Sequence, residues 1–344
     1  MLTGDLDRLV AAEIRALRPP PAMTTAGHWQ AAPPGSAPAP GTYATPIAFR
    51  LGPDATRIAA TLAAALRRAD WVLSASVTGG YVTVTVTPDA LAGLAVRITE
   101  AGPACARSTA LAGLVGPAPP APDLAAFAGW ADARRHLAAS LTARLAEAAG
   151  ARIVASDQTE RGAMPARRPS QAPGPVAAAI DFAGAGAIRY ALARLPPGTP
   201  ARVDLCHAAA HHLGVPAYAV RYAHAHAAST LRQAADLGLS LGEAADFQPR
   251  LLAHPSEQAL LDELSWLAER VAGAARRARP DVFARYLERL AGAYFDGQEQ
   301  RPAVWPGITA GGPGISARLW LAAATATALR AGLDLLGVDA PDRL

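Results

Sequence analysis

Apolar residues recur at helical spacing along most of this chain and alternate with polar residues around one glycine pair. Near the start, Leu6, Val10 and Ile14 lie on one helical stripe, which predicts a helix over residues 5–17. The stretch "WVLSASVTGGYVTVTVTP" alternates on both sides of Gly79-Gly80, a pattern typical of a hairpin with a two-residue turn. With further helices predicted over 46–68 and 88–99, the pattern indicates a small α+β domain over residues 1–100.

From residue 176 onward the pattern is helical almost throughout, which predicts an all-α bundle over residues 176–344. Residues 101–175 are predicted to be a connector, made of a helical stretch and a proline-rich linker over 155–175. The expected fold is therefore a small α+β domain followed by a helical bundle, without a Rossmann domain. The helices predicted for the bundle cover residues 177–193, 201–213, 216–237, 256–279, 281–296 and 314–336.

The charge pattern narrows the possible chemistry more than it identifies a partner. The chain has no lysine and no asparagine, so all 32 basic residues are arginine and any mechanism that needs a lysine is excluded. Net charge is +4, and residues 181–344 contain 16 arginines and 16 acidic residues. A strongly basic face would by itself indicate nucleic-acid binding, and this balance does not. Local arginine clusters such as Arg276-Arg277 are typical of solvated helix faces.

Cysteine and histidine residues give little support for a metal site. Cys105 and Cys206 match neither a disulfide framework nor a metal-binding spacing. His207 and His211 are four residues apart, as in helical zinc sites, but the position after the first histidine is Ala208 and not the glutamate of zinc proteases. We therefore expect histidines near a helix end, with no metal and no cofactor.

We expect the chain to be cytoplasmic and not to contact a membrane. The N-terminus lacks a signal-peptide pattern. In addition, no long apolar stretch is free of charge and proline.

The stretch "VPAYAVRYAHAHAAS" carries the most distinctive set of side chains. On a helix, Tyr218, Tyr222 and His226 fall at steps of four and make one stripe, with Arg221 and His224 on a second stripe beside it. Aromatic rings, imidazole and guanidinium suit stacking on bases and contact with phosphates. They suit a polar helix–helix seam with hydrogen-bonded hydroxyls equally well. Spacing alone leaves both interpretations open.

Several motifs together resemble arginyl-tRNA synthetases. "VPAYAVRYAHAHAASTLRQA" is similar to the family's N-P-V-Y-Y-V-Q-Y-A-H-A-R-I helix, and "GAIRYALAR" at 186–194 resembles its D-A-L-R signature. The ending "GVDAPDRL" is similar to the family's A-P-E-R-M. At the other end, "GTYATPIAFRLG" and "ASVTGGYVTVTV" resemble the family's N-terminal tRNA-binding domain. The resemblance covers about residues 1–100 and 176–344, in the family's order.

The segment between these regions does not resemble the family. Arginyl-tRNA synthetases place a class I catalytic domain there, with H-x-G-H and K-M-S-K-S signatures. This chain has about 80 residues in that place, too few for a nucleotide-binding domain with a parallel sheet. Neither signature is present, and a chain without lysine cannot carry the second. We therefore expect no aminoacylation activity and no catalytic residues.

The resemblance also implies which residues contact tRNA. On the anticodon side, Arg221 replaces the family's glutamine, His226 its arginine and Leu344 its final methionine, whereas the tyrosines are retained. On the side of the tRNA elbow, Tyr81 stands at an aromatic position and Thr83 at an asparagine position. The candidate tRNA-binding residues are Tyr218, Arg221, Tyr222, His226 and Leu344, together with Tyr81 and Thr83.

Three hypotheses about function follow. The first is a tRNA-binding relative of arginyl-tRNA synthetase without its own aminoacylation activity, with arginine tRNA as its expected partner. The second is a non-catalytic tRNA-binding subunit that acts with a separate catalytic or biosynthetic protein. The third is a protein-interaction module that reuses the scaffold, with the altered stripe packed on a partner helix.

Overall fold

The structure is a computed structural model, and it describes residues 2–16, 29–30, 39–154, 174–304 and 311–344. Most of the proline-rich insert after the first helix and residues 155–173 of the predicted linker lie outside these ranges. In the first third of the chain the elements are α1 (Leu2–Ala16), β1 (Thr42–Thr45), α2 (Ile47–Leu51), α3 (Ala55–Leu66), β2 (Val72–Thr78), β3 (Tyr81–Val86), α4 (Pro88–Ala92) and α5 (Leu94–Ala101).

The remaining elements are mainly helices, as the sequence predicts for this part of the chain. They are β4 (Val115–Pro117), α6 (Trp130–Ala148), β5 (Arg152–Val154), α7 (Pro175–Ala183), α8 (Ala185–Arg194), α9 (Leu205–Ala209), α10 (Pro216–Asp236), α11 (Pro255–Ser265), α12 (Leu267–Arg276), α13 (Pro280–Gln300) and α14 (Pro313–Leu335). A small N-terminal sheet followed by a helical part confirms the predicted fold class. Within the described ranges there is no Rossmann-type sheet.

The chain divides into two compact units, and neither is a single continuous segment. The first unit comprises residues 1–101, 233–269 and 296–324, and the second comprises residues 102–232, 270–295 and 325–344.

The first unit contains the predicted hairpin in a three-stranded antiparallel sheet of order β1-β3-β2. Gly79 and Gly80 have φ angles of 55° and 85°, the left-handed values that a two-residue turn requires. Val82, Val84 and Val86 are buried on one face of β3, and Tyr81 and Thr83 lie on the other. The third strand, β1, was not predicted because four residues are too few to show an alternating pattern.

Elsewhere in this unit, buried residues join its separate segments. Tyr43 of β1 packs against Trp266, with ring centroids 5.0 Å apart, and both residues are buried. Asp262 of α11 accepts a hydrogen bond from the Gly41 backbone N–H at 2.8 Å. The predicted α1 stripe is buried as expected, including Leu6 and Val10.

The second unit is mainly helical and contains two features that the sequence analysis missed. One is a two-stranded parallel sheet formed by β4 and β5. The other is the hydrogen bond that the buried Tyr190 hydroxyl of α8 donates to the Ala284 carbonyl of α13 at 2.9 Å. Such contacts depend on residues far apart in the chain, so local periodicity does not reveal them.

Several predicted helices are shorter or are broken in the structure. The helix predicted over 46–68 is interrupted after Leu51, because Pro53 cannot continue it, and α3 begins with Asp54 as its N-cap. Gly184, at φ 86°, separates α7 from α8. The helix predicted over 201–213 is wrong in extent, because α9 covers Leu205–Ala209 alone. By contrast, α10, α13 and α14 confirm the helices predicted over 216–237, 281–296 and 314–336. The helix predicted over 256–279 is broken at Trp266 into α11 and α12.

No single helix in the described ranges is both long and apolar enough to cross a membrane. One bent pair, α7 with α8 at 117°, meets the criteria of length and composition alone.

Candidate functional site

Helix α10 presents the predicted stripe because its opposite side is apolar. Pro216 occupies its first position, where the missing N–H costs no hydrogen bond. Val220, Ala223 and Ala227 are fully buried, so this face of the helix packs into the second unit. Tyr218 and Tyr222 remain half-buried beside that face. The helix therefore holds both tyrosines at the border between its buried face and solvent.

Four rings form a nearly parallel stack at this surface. Tyr218 stacks on Tyr222 with centroids 5.6 Å apart and planes inclined by 12°, and His211 stacks on the other side of Tyr218 at 5.6 Å and 14°. Tyr222 also stacks on Phe295 of α13, at 5.8 Å and 24°. These distances are typical of offset-stacked aromatic pairs. We call the rings of His211, Tyr218, Tyr222 and Phe295 the aromatic ladder.

His226, which is half-buried, packs beside the ladder against Tyr294 of α13. Its ring lies edge-on to Tyr294 at 5.7 Å, and its Nδ1 shares a hydrogen bond of 2.9 Å with the Tyr294 hydroxyl. Burial lowers the pKa of His226, so the imidazole is neutral at neutral pH. At this position the protein offers a hydrogen-bonded ring and no positive charge.

Side chains of α10 hydrogen-bond the last residues of the chain and hold them along the helix. Arg221 Nε donates to the Asp339 carbonyl at 3.3 Å, and His224 Nδ1 donates to the Pro341 carbonyl at 3.1 Å. Arg232 Nη2 donates to the Asp342 carbonyl at 2.9 Å, and the Asp342 carboxylate pairs with Arg330 of α14. We call residues 339–344 the C-terminal segment. Four side chains thus fix its path.

His224 is the buried member of this set, with 1% of its side chain exposed. Burial is the main cause that lowers the pKa of His224, and the hydrogen bond to the Pro341 carbonyl opposes it. Arg330 lowers the pKa further and Asp342 raises it, both by less. A neutral ring with a proton on Nδ1 matches the hydrogen bond to Pro341.

The sequence-predicted residues fall into three groups. Tyr218, Tyr222 and His226 are brought together in and beside the aromatic ladder. Arg221 is directed toward the C-terminal segment, and Leu344 at the end of that segment is 54% exposed.

The residues predicted for the elbow side, Tyr81 and Thr83, lie on β3 in the first unit. The Tyr81 ring meets the exposed Phe49 ring edge-on at 5.6 Å and 71°. The Thr83 hydroxyl oxygen is buried and, among the described residues, has no hydrogen-bond partner.

The three histidines at 207, 211 and 212 make different ring contacts. His207 and His212 form an edge-on pair with centroids 6.3 Å apart, and His211 belongs to the aromatic ladder. Because α9 ends at Ala209, His207 and His211 do not share a helical turn. In the ranges that the structure describes, no three His, Cys, Asp or Glu side chains are grouped to hold a metal ion.

Three residues of this surface were missed by sequence reasoning. His211 was considered as a metal ligand, and its stacking on Tyr218 depends on the loop that follows α9. Phe295 lies on α13 and reaches the ladder through tertiary packing. His224 was assigned to the second stripe, but its role in holding the C-terminal segment requires a contact with Pro341. No pattern in the local sequence signals these contacts.

His224 and His226 are expected to make the stability of the second unit depend on pH. Their pKa values are lowered in the folded protein, so the unfolded chain binds more protons below its usual histidine pKa of about 6.5. We expect the free energy of unfolding to fall as the pH is lowered from about 7.5 to 5.5, by at most about 1.4 kcal/mol per pH unit for each histidine. Urea unfolding at several pH values measures this.

The His226→Phe variant keeps a ring and removes one titrating group, so its pH dependence should be weaker than that of the wild type. An equal slope in the two proteins would contradict the role assigned to His226.

Comparison with known proteins agrees with the motifs. Residues 220–344 match the family model of the DALR anticodon binding domain. The arginine–tRNA ligase of Frankia alni is 39% identical over 166 residues, which are 48% of this chain and 30% of that protein. The arginine–tRNA ligase of Paenarthrobacter aurescens is 37% identical over 173 residues, again 48% and 30%. The chain thus spans about 30% of the length of these relatives.

The fold also resembles a solved structure. Thermus thermophilus arginyl-tRNA synthetase aligns with a TM-score of 0.66 and 15% identity, with the match spanning 100% of each chain. Residues 220–344 are thus similar to the DALR anticodon binding domain. The chain is similar to arginyl-tRNA synthetases in sequence over about half of its length, and its fold is similar to that of a solved arginyl-tRNA synthetase.

Proposed function

We propose that this protein binds tRNA through the aromatic ladder and the arginines around it, and that it does not aminoacylate tRNA by itself. The observation that carries the proposal is the aromatic ladder, because ordered rings at a half-exposed surface suit contact with the unpaired bases of an anticodon loop. The match of residues 220–344 to an anticodon-binding domain supports the same surface.

Arginine side chains of the same unit can supply contacts to phosphates. Arg221 lies on the second stripe of α10, and its Nε donates a hydrogen bond to the Asp339 carbonyl. Arg202 and Arg343 are exposed in the same unit. A guanidinium carries five donors, so one hydrogen bond to a carbonyl leaves donors for a phosphate. Such contacts position the RNA, and the bases are contacted by the rings.

A second contact is proposed on the sheet of the first unit. The exposed Phe49 ring meets the half-buried Tyr81 ring, and Tyr81 and Thr83 lie on the strand that resembles the family's elbow-binding strand. We further propose that residues 1–100 and 176–344 act as the two tRNA-binding domains, with residues 101–175 as their connector. Arginine tRNA is the first ligand to test, because the relatives of this chain are arginine–tRNA ligases.

The proposal is tested by measuring the affinity of the purified chain for arginine tRNA at several salt concentrations. If about three phosphates of a single-stranded loop are neutralised, affinity should fall roughly 20-fold between about 50 and 200 mM salt, because bound counterions are released. No binding to any tRNA at low salt would refute the proposal.

Arginine-dependent pyrophosphate exchange tests the second half of the proposal. The chain alone should give none, because it carries neither family signature for ATP binding. Exchange by the chain alone would show that it is an enzyme, and exchange in the presence of a second polypeptide would favour the subunit hypothesis.

A further inference from the structure

One end of the aromatic ladder faces solvent and the other does not. His211 lies in the loop between α9 and α10, its side chain is exposed, and in the described part of the chain its recorded ring contact is with Tyr218. At the other end, Phe295 is half-buried and is flanked by Tyr294 and His226, at 5.7 and 6.2 Å between centroids. The ring face at the exposed end of the ladder is therefore the face of His211 that points away from Tyr218.

The faces of the inner rings leave no room for a base. Inserting a flat base between two rings requires about 3.5 Å of van der Waals distance on each side, which is about 7 Å between their planes. The centroids of neighbouring ladder rings are 5.6, 5.6 and 5.8 Å apart. The planes of two rings can be no farther apart than that when they are nearly parallel. Tyr218 and Tyr222 can therefore offer their edges and hydroxyl groups, but not an open face.

We propose that His211 is the ring on which an unpaired base of the bound RNA stacks, and that Tyr218 and Tyr222 contact the RNA by their edges and hydroxyls. This inference rests on the proposed function and adds to it a specific contact residue outside α10. The Tyr218 ring behind His211 holds the imidazole plane in place, so little side-chain freedom is lost on binding. Every base has a stacking face, so this contact tolerates changes of base.

The test uses the full chain and a short single-stranded RNA that carries one 2-aminopurine, whose fluorescence is quenched when it stacks. His211→Ala is expected to weaken binding at least about fivefold and to reduce the quenching, because one stacking contact is lost. His211→Phe keeps a flat ring at the end of the ladder and should bind as the wild type does.

His212→Asn is the matched control, since it removes a neighbouring imidazole outside the ladder. Asparagine can still accept the hydrogen bond that His212 Nδ1 takes from the Gly214 N–H at 3.1 Å. This variant should bind with wild-type affinity.

The outcomes separate this inference from the function on which it rests. Wild-type binding together with an unaffected His211→Ala variant would overturn the inference alone, as would a His211→Phe variant as weak as His211→Ala. Failure of the wild type to bind either this RNA or tRNA at low salt would overturn both. A wild type that binds neither RNA and instead binds a helical peptide at the ladder would overturn both and favour the protein-interaction hypothesis.

Discussion

Replacing Glu257 with alanine is expected to lower the free energy of unfolding by about 3–5 kcal/mol, because it breaks a buried ion pair and leaves a cation without its partner. Glu257 lies in the first turn of α11 with 3% of its side chain exposed, and it accepts a hydrogen bond from Arg318 Nε of α14 at 2.9 Å. The same carboxylate accepts the His254 backbone N–H at 3.0 Å, which completes a capping box.

Two further variants separate these contributions in denaturant unfolding. Glu257→Gln keeps an acceptor for both donors and should lose less stability than the alanine variant. Asp132→Ala breaks the solvent-exposed pair with Arg135, whose side chains are 57% and 73% exposed, and should cost less than about 1 kcal/mol. A loss below about 1 kcal/mol for Glu257→Ala would contradict the importance of this pair.

Replacing Tyr222 with alanine is expected to weaken tRNA binding about 5- to 150-fold, because it removes the edge and hydroxyl contacts of Tyr222 and releases the rings that support the base-stacking face of His211, a contact worth about 1–3 kcal/mol. Tyr222 joins the two halves of the ladder, since its ring contacts both Tyr218 and Phe295. Its removal therefore takes away one contact and also releases the rings on either side.

The matched variant is Tyr222→Phe, which keeps the stack and removes the hydroxyl. Its binding free energy for tRNA should fall by at most the contribution of one hydrogen bond, about 0.5–1.5 kcal/mol. Circular dichroism and thermal unfolding of each variant show whether the fold is intact. If Tyr222→Ala is folded and binds tRNA as the wild type does, the ladder is not the tRNA-binding surface.

The sequence alone was sufficient for the elements with strong local signals. Glycine at 79 and 80 between alternating residues predicted the hairpin, and the four-residue steps of Tyr218, Tyr222 and His226 predicted a shared helix face. Both were confirmed, because these patterns report the backbone conformation of neighbouring residues. Helix breaks at Gly52-Pro53, Gly184 and Trp266 were missed, since apolar periodicity continues across them.

The candidate site was predicted in part, and the missing part consists of long-range contacts. Spacing left open whether the α10 stripe faces a ligand or packs against another helix. In the structure, Tyr218 and Tyr222 are half-buried at the surface, and His226 packs against α13 through Tyr294. Tyr222 and His226 both pack against α13, so the stripe forms part of a helix–helix contact, and contact of its half-buried tyrosines with RNA stays a prediction.

What the sequence by itself determined is the class of fold, the likeness of the C-terminal half to arginyl-tRNA synthetases, and the absence of lysine. What the tertiary structure alone decided is which rings touch. His211, Phe295 and the C-terminal segment reach α10 from a loop, another helix and the last residues of the chain. The physical reason is that stacking and burial depend on distances between segments, whereas a sequence pattern reports the local twist of one segment.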